Sequence, residues 1–168
     1  MPHAVDLARL STHQLLRLYA DILTELIRRK VIRSRNAPAG DLAERLVAQA
    51  YNGTLTPPSA KSWDVLADGR RLQVKTRLIS SGDSKSHNYS PFRSWDFAAC
   101  VFLILDAYTY DVVSAVELPV EVVKKLARET RHVNGFLMGT RTLLGLPGAV
   151  DRTADVAKAL DELDMPAE

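Results

Sequence analysis

The chain has 168 residues, 46% of them hydrophobic and 25% charged, with a formal net charge of +2. This composition is ordinary for a globular domain. It excludes collagen-like structure and disorder, and the single cysteine, Cys100, excludes a disulfide-stabilised scaffold. The longest apolar run, residues 97–105, is shorter than the roughly 20 residues that a membrane-spanning helix needs. We therefore expect one domain over 1–168 without a membrane partner, located in the cytoplasm.

The charges are distributed unevenly along the chain. Residues 1–95 contain 15 Lys and Arg against 8 Asp and Glu, a net of +7, whereas residues 96–168 contain 7 against 12, a net of −5. Such a distribution suggests a polyanionic partner on one side of the molecule. Scattered, solvated charge explains it equally well.

Two helices are predicted first. The capping-box pattern of residues 11–14 predicts a helix start, and an amphipathic stripe continues to about residue 31. The Pro-Ala-Gly sequence at 38–40 interrupts the pattern, and a second helix is predicted from Asp41 until Asn52-Gly53. Residues 1–38 then form an N-terminal helical extension.

The periodicity changes to that of strands after the second helix. Segments 63–66 and 71–79 flank Asp68-Gly69, a strong signal for a two-residue hairpin turn. The polar segment 80–94 is predicted as a loop, and residues 97–105 as a buried central strand.

The remaining elements complete a layered fold. The patterns predict a β-rich segment at 108–116, a helix from Pro119 to 126, a short strand at 136–143 and a C-terminal helix from 156 to 163. Helices before and after a mixed sheet predict an α/β domain, with a core over 40–130 and a C-terminal strand and helix within 131–168.

The predicted hairpin brings three polar side chains together. If Asp68-Gly69 forms the turn, Asp64 lies directly opposite Gln73 on the neighbouring strand. Lys75 projects from the same face as Gln73, because side chains alternate along a strand. A carboxylate, an amide oxygen and an ammonium group would therefore share one face.

These groups suit hydrolysis of a phosphodiester bond. Mg²⁺ (or Mn²⁺) prefers hard oxygen ligands and takes only one or two carboxylates from a protein. Asp64 would be the main ligand, and the Gln73 side chain and the Val74 carbonyl would be neutral ligands. Lys75 would position the attacking water and offset the developing negative charge.

A known family has this order of residues. Glu44 on a helix, then Asp64, then Gln73-Val74-Lys75 after a hairpin resembles the PD-(D/E)xK nuclease superfamily over about residues 40–130. The resemblance implies a restriction-endonuclease-like mixed sheet flanked by helices. It also implies that Asp64 is a metal ligand, Lys75 the catalytic lysine and Glu44 the upstream acidic residue.

Two positions depart from the family pattern. Trp63 precedes Asp64 where proline is usual, and Gln73 stands where the usual residue is acidic. A neutral ligand binds Mg²⁺ less tightly than a carboxylate. The resemblance as a whole implies a Mg²⁺-dependent endonuclease acting on double-stranded DNA, a homodimer, and a role in restriction or defence.

Basic and aromatic residues near this site are candidates for contact with nucleic acid. Such side chains bind phosphates and stack on bases. The candidates are Arg71, Arg77, Lys85, His87, Tyr89 and Arg93. The basic residues between 28 and 35 are interpreted instead as a solvated helix end.

Other interpretations remain open. The polar residues of the hairpin could simply form a solvated face, and Asp41-x-x-Glu44 is itself a capping-box pattern. One alternative function is a catalytically inactive nucleic-acid-binding protein on the same fold. Another is a winged-helix regulator with Arg70 and Arg71 at the wing tip, in which segment 97–105 would not join the hairpin in one sheet.

Overall fold

The structure is a computed structural model that describes residues 5–58 and 62–163. The first four residues of the predicted extension and the last five of the C-terminal segment lie outside these ranges. The helices are α1 (Thr12–Arg28), α2 (Ala39–Ala50), α3 (Val120–Leu126) and α4 (Thr153–Glu162). The strands are β1 (Thr54–Leu55), β2 (Val65–Ala67), β3 (Arg70–Ile79), β4 (Ala99–Asp106), β5 (Val112–Pro119), β6 (Arg128–Thr130), β7 (Gly135–Leu137) and β8 (Val150–Asp151).

Six strands form one mixed sheet in the order β1-β2-β3-β4-β5-β8, and β6 and β7 form a separate hairpin. β3 and β4 are parallel, and the other neighbouring pairs are antiparallel. The prediction of an α/β fold with a mixed, helix-flanked sheet is confirmed. The winged-helix alternative is contradicted, because segment 97–105 supplies β4, which pairs with the hairpin strand β3.

Apolar residues cover both faces of the sheet. Val101, Leu103 and Leu105 of β4 point to the face covered by α2 and α4. Cys100 and Phe102 point to the opposite face, which is covered by α3 and by the segment before β4. Each large apolar side chain buried in this way stabilises the fold by about 1.5–3 kcal/mol.

The capping box at the start of α1 is confirmed. The Ser11 hydroxyl accepts a hydrogen bond from the Gln14 backbone N–H (3.3 Å), and the Gln14 side chain accepts one from the Ser11 N–H (2.8 Å). The helix ends at Arg28, before the predicted residue 31, and Leu23 is its only buried residue. Among the described helices, none combines the length and the apolarity needed to cross a bilayer.

The predicted start of α2 at Asp41 is wrong. The helix begins at Ala39 after Pro38, which caps it without a side-chain hydrogen bond. The Asp41 carboxylate instead accepts hydrogen bonds from the backbone N–H groups of Arg33 and Ser34, both 2.8 Å long. Asp41 therefore connects the preceding loop to the first turn of α2 by hydrogen bonds. The capping box predicted at 41–44 is absent.

The hairpin between β2 and β3 has the predicted register. Ala67 pairs with Arg70, and Val65 pairs with Leu72. Asp68 and Gly69 both have positive φ, 49° and 72°, as the favoured two-residue turn requires.

The segment before β4 is less loop-like than its polar sequence predicts. Phe92 exchanges two backbone hydrogen bonds with Phe136 of β7 (2.8 and 2.9 Å), and the Tyr89 N–H donates to the Met138 carbonyl (2.9 Å). At Gly135 a β-carbon would lie 2.7 Å from the Phe92 carbonyl oxygen, so only glycine fits there. The segment before β4 is thus hydrogen-bonded along the β7 side of the β6–β7 hairpin.

A buried glutamate joins several elements at one end of the sheet. Glu117 of β5 is 7% exposed. Its carboxylate accepts hydrogen bonds from the Tyr51 hydroxyl (2.6 Å) and the Arg70 guanidinium (2.7 Å). This carboxylate therefore ties the C-terminal end of α2 to β3 and β5.

Replacing Glu117 should destabilise the fold. We expect Glu117→Ala to lower the free energy of unfolding by about 1–2 kcal/mol, because it leaves the half-buried Tyr51 hydroxyl and Arg70 guanidinium without their acceptor. Urea unfolding measures the change. Glu121→Ala is the control, since Glu121 is 72% exposed and should cost less than about 0.5 kcal/mol. Equal losses in the two variants would contradict the prediction.

Candidate functional site

A cleft of about 620 Å³ lies along one edge of β3. β2 begins at Val65, opposite Leu72, whereas β3 continues to Ile79. In the described part of the chain, no strand pairs with β3 on that side beyond Leu72, so its second half is an open edge. The cleft is lined by Glu44, Asp64, Gln73, Val74, Lys75, Thr76, Arg77 and Ser90, among others.

Asp64 lies at the point where β2 and β3 separate. Its Oδ2 accepts hydrogen bonds from the Gln73 side-chain amide (2.6 Å) and from the Val74 backbone N–H (2.7 Å). Asp64 is therefore held opposite Gln73, as the predicted hairpin requires. Burial raises the pKa of Asp64, although the Val74 N–H and the positive charges of Lys75 and Arg33 oppose the shift.

Glu44 reaches the same cleft from α2. Its carboxylate pairs with the Arg33 guanidinium at 2.5 Å, and Arg33 also donates to the Thr56 carbonyl (2.6 Å). Burial and the negative charge of Asp64 raise the pKa of Glu44 to about 7, against the lowering effect of Arg33. The two carboxylates therefore interact electrostatically, and Glu44 can gain or lose a proton near neutral pH.

Lys75 is almost completely enclosed, with 9% of its surface exposed. Its Nζ donates to the Ser90 hydroxyl and the Pro91 carbonyl, both at 3.1 Å, and lies 4.8 Å from the centre of the Phe92 ring. Burial lowers the pKa of Lys75, although the nearby Asp64 acts in the opposite direction. The ammonium is thus held by the segment before β4.

The backbone of β3 adds oxygen atoms to the cleft. The Val74 N–H points to Asp64, and the N–H and C=O of one strand residue point to the same side. The Val74 carbonyl therefore points toward the cleft. The Gln73 amide nitrogen faces Asp64, so its carbonyl oxygen is the atom left to act as a ligand.

These groups match the donors that Mg²⁺ or Mn²⁺ prefers. Asp64 and Glu44 supply two carboxylates to the cleft, and Gln73 and Val74 supply neutral oxygens; all of these are hard ligands. Among the residues that the structure describes, however, no group of three or more His, Cys, Asp or Glu is placed to hold a metal ion. A metal bound here would need the neutral oxygens, water or substrate to complete its coordination.

Four of the six residues predicted to contact nucleic acid are exposed. Arg77 is exposed and lines the cleft, and Arg71 is exposed but pairs with Asp96 (2.6 Å). Lys85 and Arg93 are exposed.

Two of the predicted contacts are partly or fully enclosed. His87 is half-buried and bonds to Asp83 (2.8 Å). Tyr89 is 2% exposed and packs against Phe102, with 5.0 Å between ring centres. The prediction that Tyr89 stacks on bases is therefore wrong, because the segment that carries it pairs with β7 and turns the ring into the core.

Three residues in the cleft or in contact with its side chains were missed by the sequence analysis. Arg33, interpreted as part of a solvated helix end, holds Glu44, and Ser90 holds the Lys75 ammonium. The Thr76 hydroxyl is buried without a hydrogen-bond partner among the described residues. The alternation of side chains along β3 is the only sequence signal that could have indicated Thr76. No sequence signal indicates Arg33 or Ser90, because their contacts connect parts of the chain that are distant in sequence.

Comparison with known proteins does not assign a family. The sequence matches no protein-family model, and no curated protein is significantly similar to it.

The raised pKa of Glu44 should make stability depend on pH. Its pKa is about 7 in the folded protein against 4.5 ordinarily, so the folded state binds the proton more tightly. Stability is therefore lost as pH rises from about 4.5 to about 7. We expect the fall in unfolding free energy between pH 5 and pH 8 to be about 2 kcal/mol smaller in Glu44→Gln.

Urea unfolding at the two pH values measures this difference. Glu25→Gln is the matched control, because hydrogen bonds from Arg28 and Arg29 lower the Glu25 pKa to about 2. That carboxylate stays ionised from pH 5 to pH 8. A pH dependence unchanged in Glu44→Gln would contradict the shift assigned to Glu44.

Proposed function

We propose that this chain is a metal-dependent nuclease that hydrolyses phosphodiester bonds in DNA on a restriction-endonuclease-like fold. The observation that carries the proposal is that Asp64, Glu44 and Lys75, which lie far apart in the sequence, line one cleft beside the open edge of β3. A cationic group beside two carboxylates is the charge pattern that phosphodiester hydrolysis with a divalent metal requires.

The metal ligands would be Asp64, Glu44, the Gln73 side-chain oxygen and the Val74 carbonyl. A bound Mg²⁺ or Mn²⁺ would lower the pKa of a water molecule and stabilise negative charge on the phosphate. Deprotonated Glu44 is the form that binds a cation, so its pKa of about 7 favours metal binding at neutral to alkaline pH.

Lys75 would act on the substrate rather than on the metal. Lys75 lines the cleft, and its ammonium is held by Ser90 and Pro91. A buried, oriented positive charge stabilises developing negative charge more strongly than an exposed one. Lys75 therefore would position the attacking water and neutralise charge at the phosphorus, and Ser90 would be a positioning residue for it.

The substrate and setting follow from the same family resemblance. We propose double-stranded DNA as the substrate, a homodimer as the active assembly, the cytoplasm as the location, and restriction or defence as the role. Arg77, which lines the cleft, and the exposed Arg93 and Lys85 are the candidates for contact with phosphates.

A catalytically inactive nucleic-acid-binding protein is the second candidate function. The observation that favours it is the contact of Gln73 with Asp64, in which the amide donates to the carboxylate at 2.6 Å. An acidic residue at position 73 could not make this bond and would offer the metal a second charge. The cleft could then bind a phosphate backbone without cleaving it.

Nicking of a supercoiled plasmid tests the nuclease proposal. We expect cleavage with Mg²⁺ or Mn²⁺, its loss with EDTA, and a decrease of at least about 100-fold in Asp64→Asn and Lys75→Met. Asp161→Asn and Lys125→Met are matched controls, since both residues are exposed on helices outside the cleft. Urea unfolding verifies that each variant folds.

The outcomes separate the two candidate functions. Cleavage that persists in Asp64→Asn and Lys75→Met would contradict the proposed site. A wild-type protein that binds DNA but does not cleave it with either metal would favour the inactive binding protein.

Metal binding can be measured without any activity. At pH 8, we expect 10 mM Mg²⁺ to raise the melting temperature by about 3–6 °C for a Kd of about 1 mM. Asp64→Asn should abolish the rise and Asp161→Asn should retain it, with NaCl of equal ionic strength as the blank. An equal rise in Asp64→Asn would show that the ion binds elsewhere.

A further inference from the structure

Four arginines in or beside the β6–β7 hairpin have no carboxylate partner among residues 5–58 and 62–163. The side chains of Arg93, Arg128, Arg131 and Arg141 are exposed, and none forms an ion pair or a side-chain hydrogen bond within the described ranges. By contrast, Arg33, Arg70 and Arg71 each hold a carboxylate. An unpaired guanidinium keeps all its donors available for an external anion.

The four arginines line two cavities next to the hairpin. A cavity of about 300 Å³ contains Arg93 and Arg131 in its wall, together with one acid, Glu129. A second cavity, of about 410 Å³, contains Arg128 and Arg141. Each cavity thus carries two arginines.

Neutral polar groups accompany the second pair of arginines. Ser86 and Asn88 line the same cavity as Arg128 and Arg141. Hydroxyl and amide side chains next to arginine are typical of contacts with the sugar-phosphate backbone. A peptide carboxylate would satisfy one arginine, whereas a phosphate backbone presents a row of charges that both cavities can use.

The local charge differs from that of the surrounding sequence. Residues 126–143 contain three arginines and one acidic residue, Glu129, within the half of the chain whose net charge is −5. The rest of that half therefore carries a net charge of −7, since −5 minus +2 gives −7. The positive charge is concentrated on the hairpin and the segment that follows it.

The hairpin has a rigid support. Trp95 stacks on Phe92 with 5.3 Å between ring centres and lies 5.2 Å from the Phe136 ring. Phe92 also contacts Phe102 of the central strand β4 at 6.1 Å. This packing anchors the hairpin backbone on the central sheet, so that binding a ligand requires ordering of the arginine side chains but not of the backbone.

The same support reaches the candidate catalytic lysine. Ser90 and Pro91 bind the Lys75 ammonium, and the next residue, Phe92, pairs with Phe136 of the hairpin. Arg93 follows directly. Residues of this one segment therefore line both the cleft and the arginine-lined cavities.

We propose that hairpin β6–β7, with Arg93, Arg128, Arg131 and Arg141, is a binding surface for the phosphate backbone of a nucleic acid. This inference rests on the proposed function, because it assigns the place where the substrate continues beyond the cleft. It adds three residues, at positions 128, 131 and 141, that the sequence analysis left unassigned.

Binding without metal tests the proposal separately from cleavage. The affinity of the full chain for a fluorescein-labelled 20-base-pair DNA duplex is measured by anisotropy in EDTA, across a range of salt concentrations. We expect Arg128→Ala/Arg131→Ala to weaken binding at least about tenfold and to lower the slope of log K against log salt by about 2.

The matched control removes two cations from other parts of the molecule. Arg17 of α1 and Lys158 of α4 are exposed, and α4 covers the opposite face of the sheet. Arg17→Ala/Lys158→Ala should retain the affinity and slope of the wild type to within about twofold. Melting temperatures verify that both double variants fold.

Further ligands identify the kind of polyanion. Duplex RNA and polyglutamate are tested in parallel, and binding of either nucleic acid that depends on the arginines supports the proposal. Equal arginine-dependent binding of polyglutamate would overturn the assignment to nucleic acid. Wild-type protein that binds neither duplex, or arginine variants that match the control, would overturn the surface itself.

The nuclease proposal can fail independently. Arginine-dependent binding with no cleavage under Mg²⁺ or Mn²⁺ would support the surface and contradict the nuclease. The opposite result is cleavage that is lost in Asp64→Asn, while Arg128→Ala/Arg131→Ala cleaves and binds DNA as the wild type does. That result would support the nuclease and contradict the binding surface.

Discussion

The turn at Asp68-Gly69 determines which side chains meet in the cleft. Because the turn has two residues with positive φ, the register of β2 on β3 is fixed. A slip of one residue would turn every side chain of the slipped strand to the opposite face of the sheet. This register places the Asp64 carboxylate against Gln73 and the Val74 N–H. The short length of β2 then leaves the rest of β3 open as the wall of the cleft.

Partial burial shifts the pKa values of the charged groups in the cleft. Glu44 and Asp64 are both harder to ionise than in water, and Lys75 is easier to deprotonate. Arg33 partly compensates the negative charge, and the segment before β4 keeps the lysine ammonium bound to neutral oxygens. The proposed divalent cation beside the carboxylates would relieve their repulsion, and its binding would then depend on pH and would stabilise the fold.

The sequence could predict contacts between residues that are close along the chain. The Ser11 capping box and the β2–β3 register follow from local geometry, and both are confirmed. The start of α2 was missed because Asp41 bonds to the backbone of residues 33 and 34 rather than to its own helix. Tyr89 was misjudged for a similar reason, since its polar neighbours suggest exposure but pairing with β7 buries it. The pattern of neighbouring residues in the sequence does not show contacts with other segments of the chain.

The parallel pairing of β3 and β4 has a consequence for the order in which the molecule assembles. The hairpin closes over two residues, whereas residues 80–98 must fold back before β4 can lie beside β3. Closing the longer loop costs more chain entropy, and non-local pairing slows folding. We therefore expect the contact between Asp64 and Gln73 to form before Ser90 and Pro91 reach the Lys75 ammonium. The cleft would then reach its native geometry only after the segment before β4 has folded back.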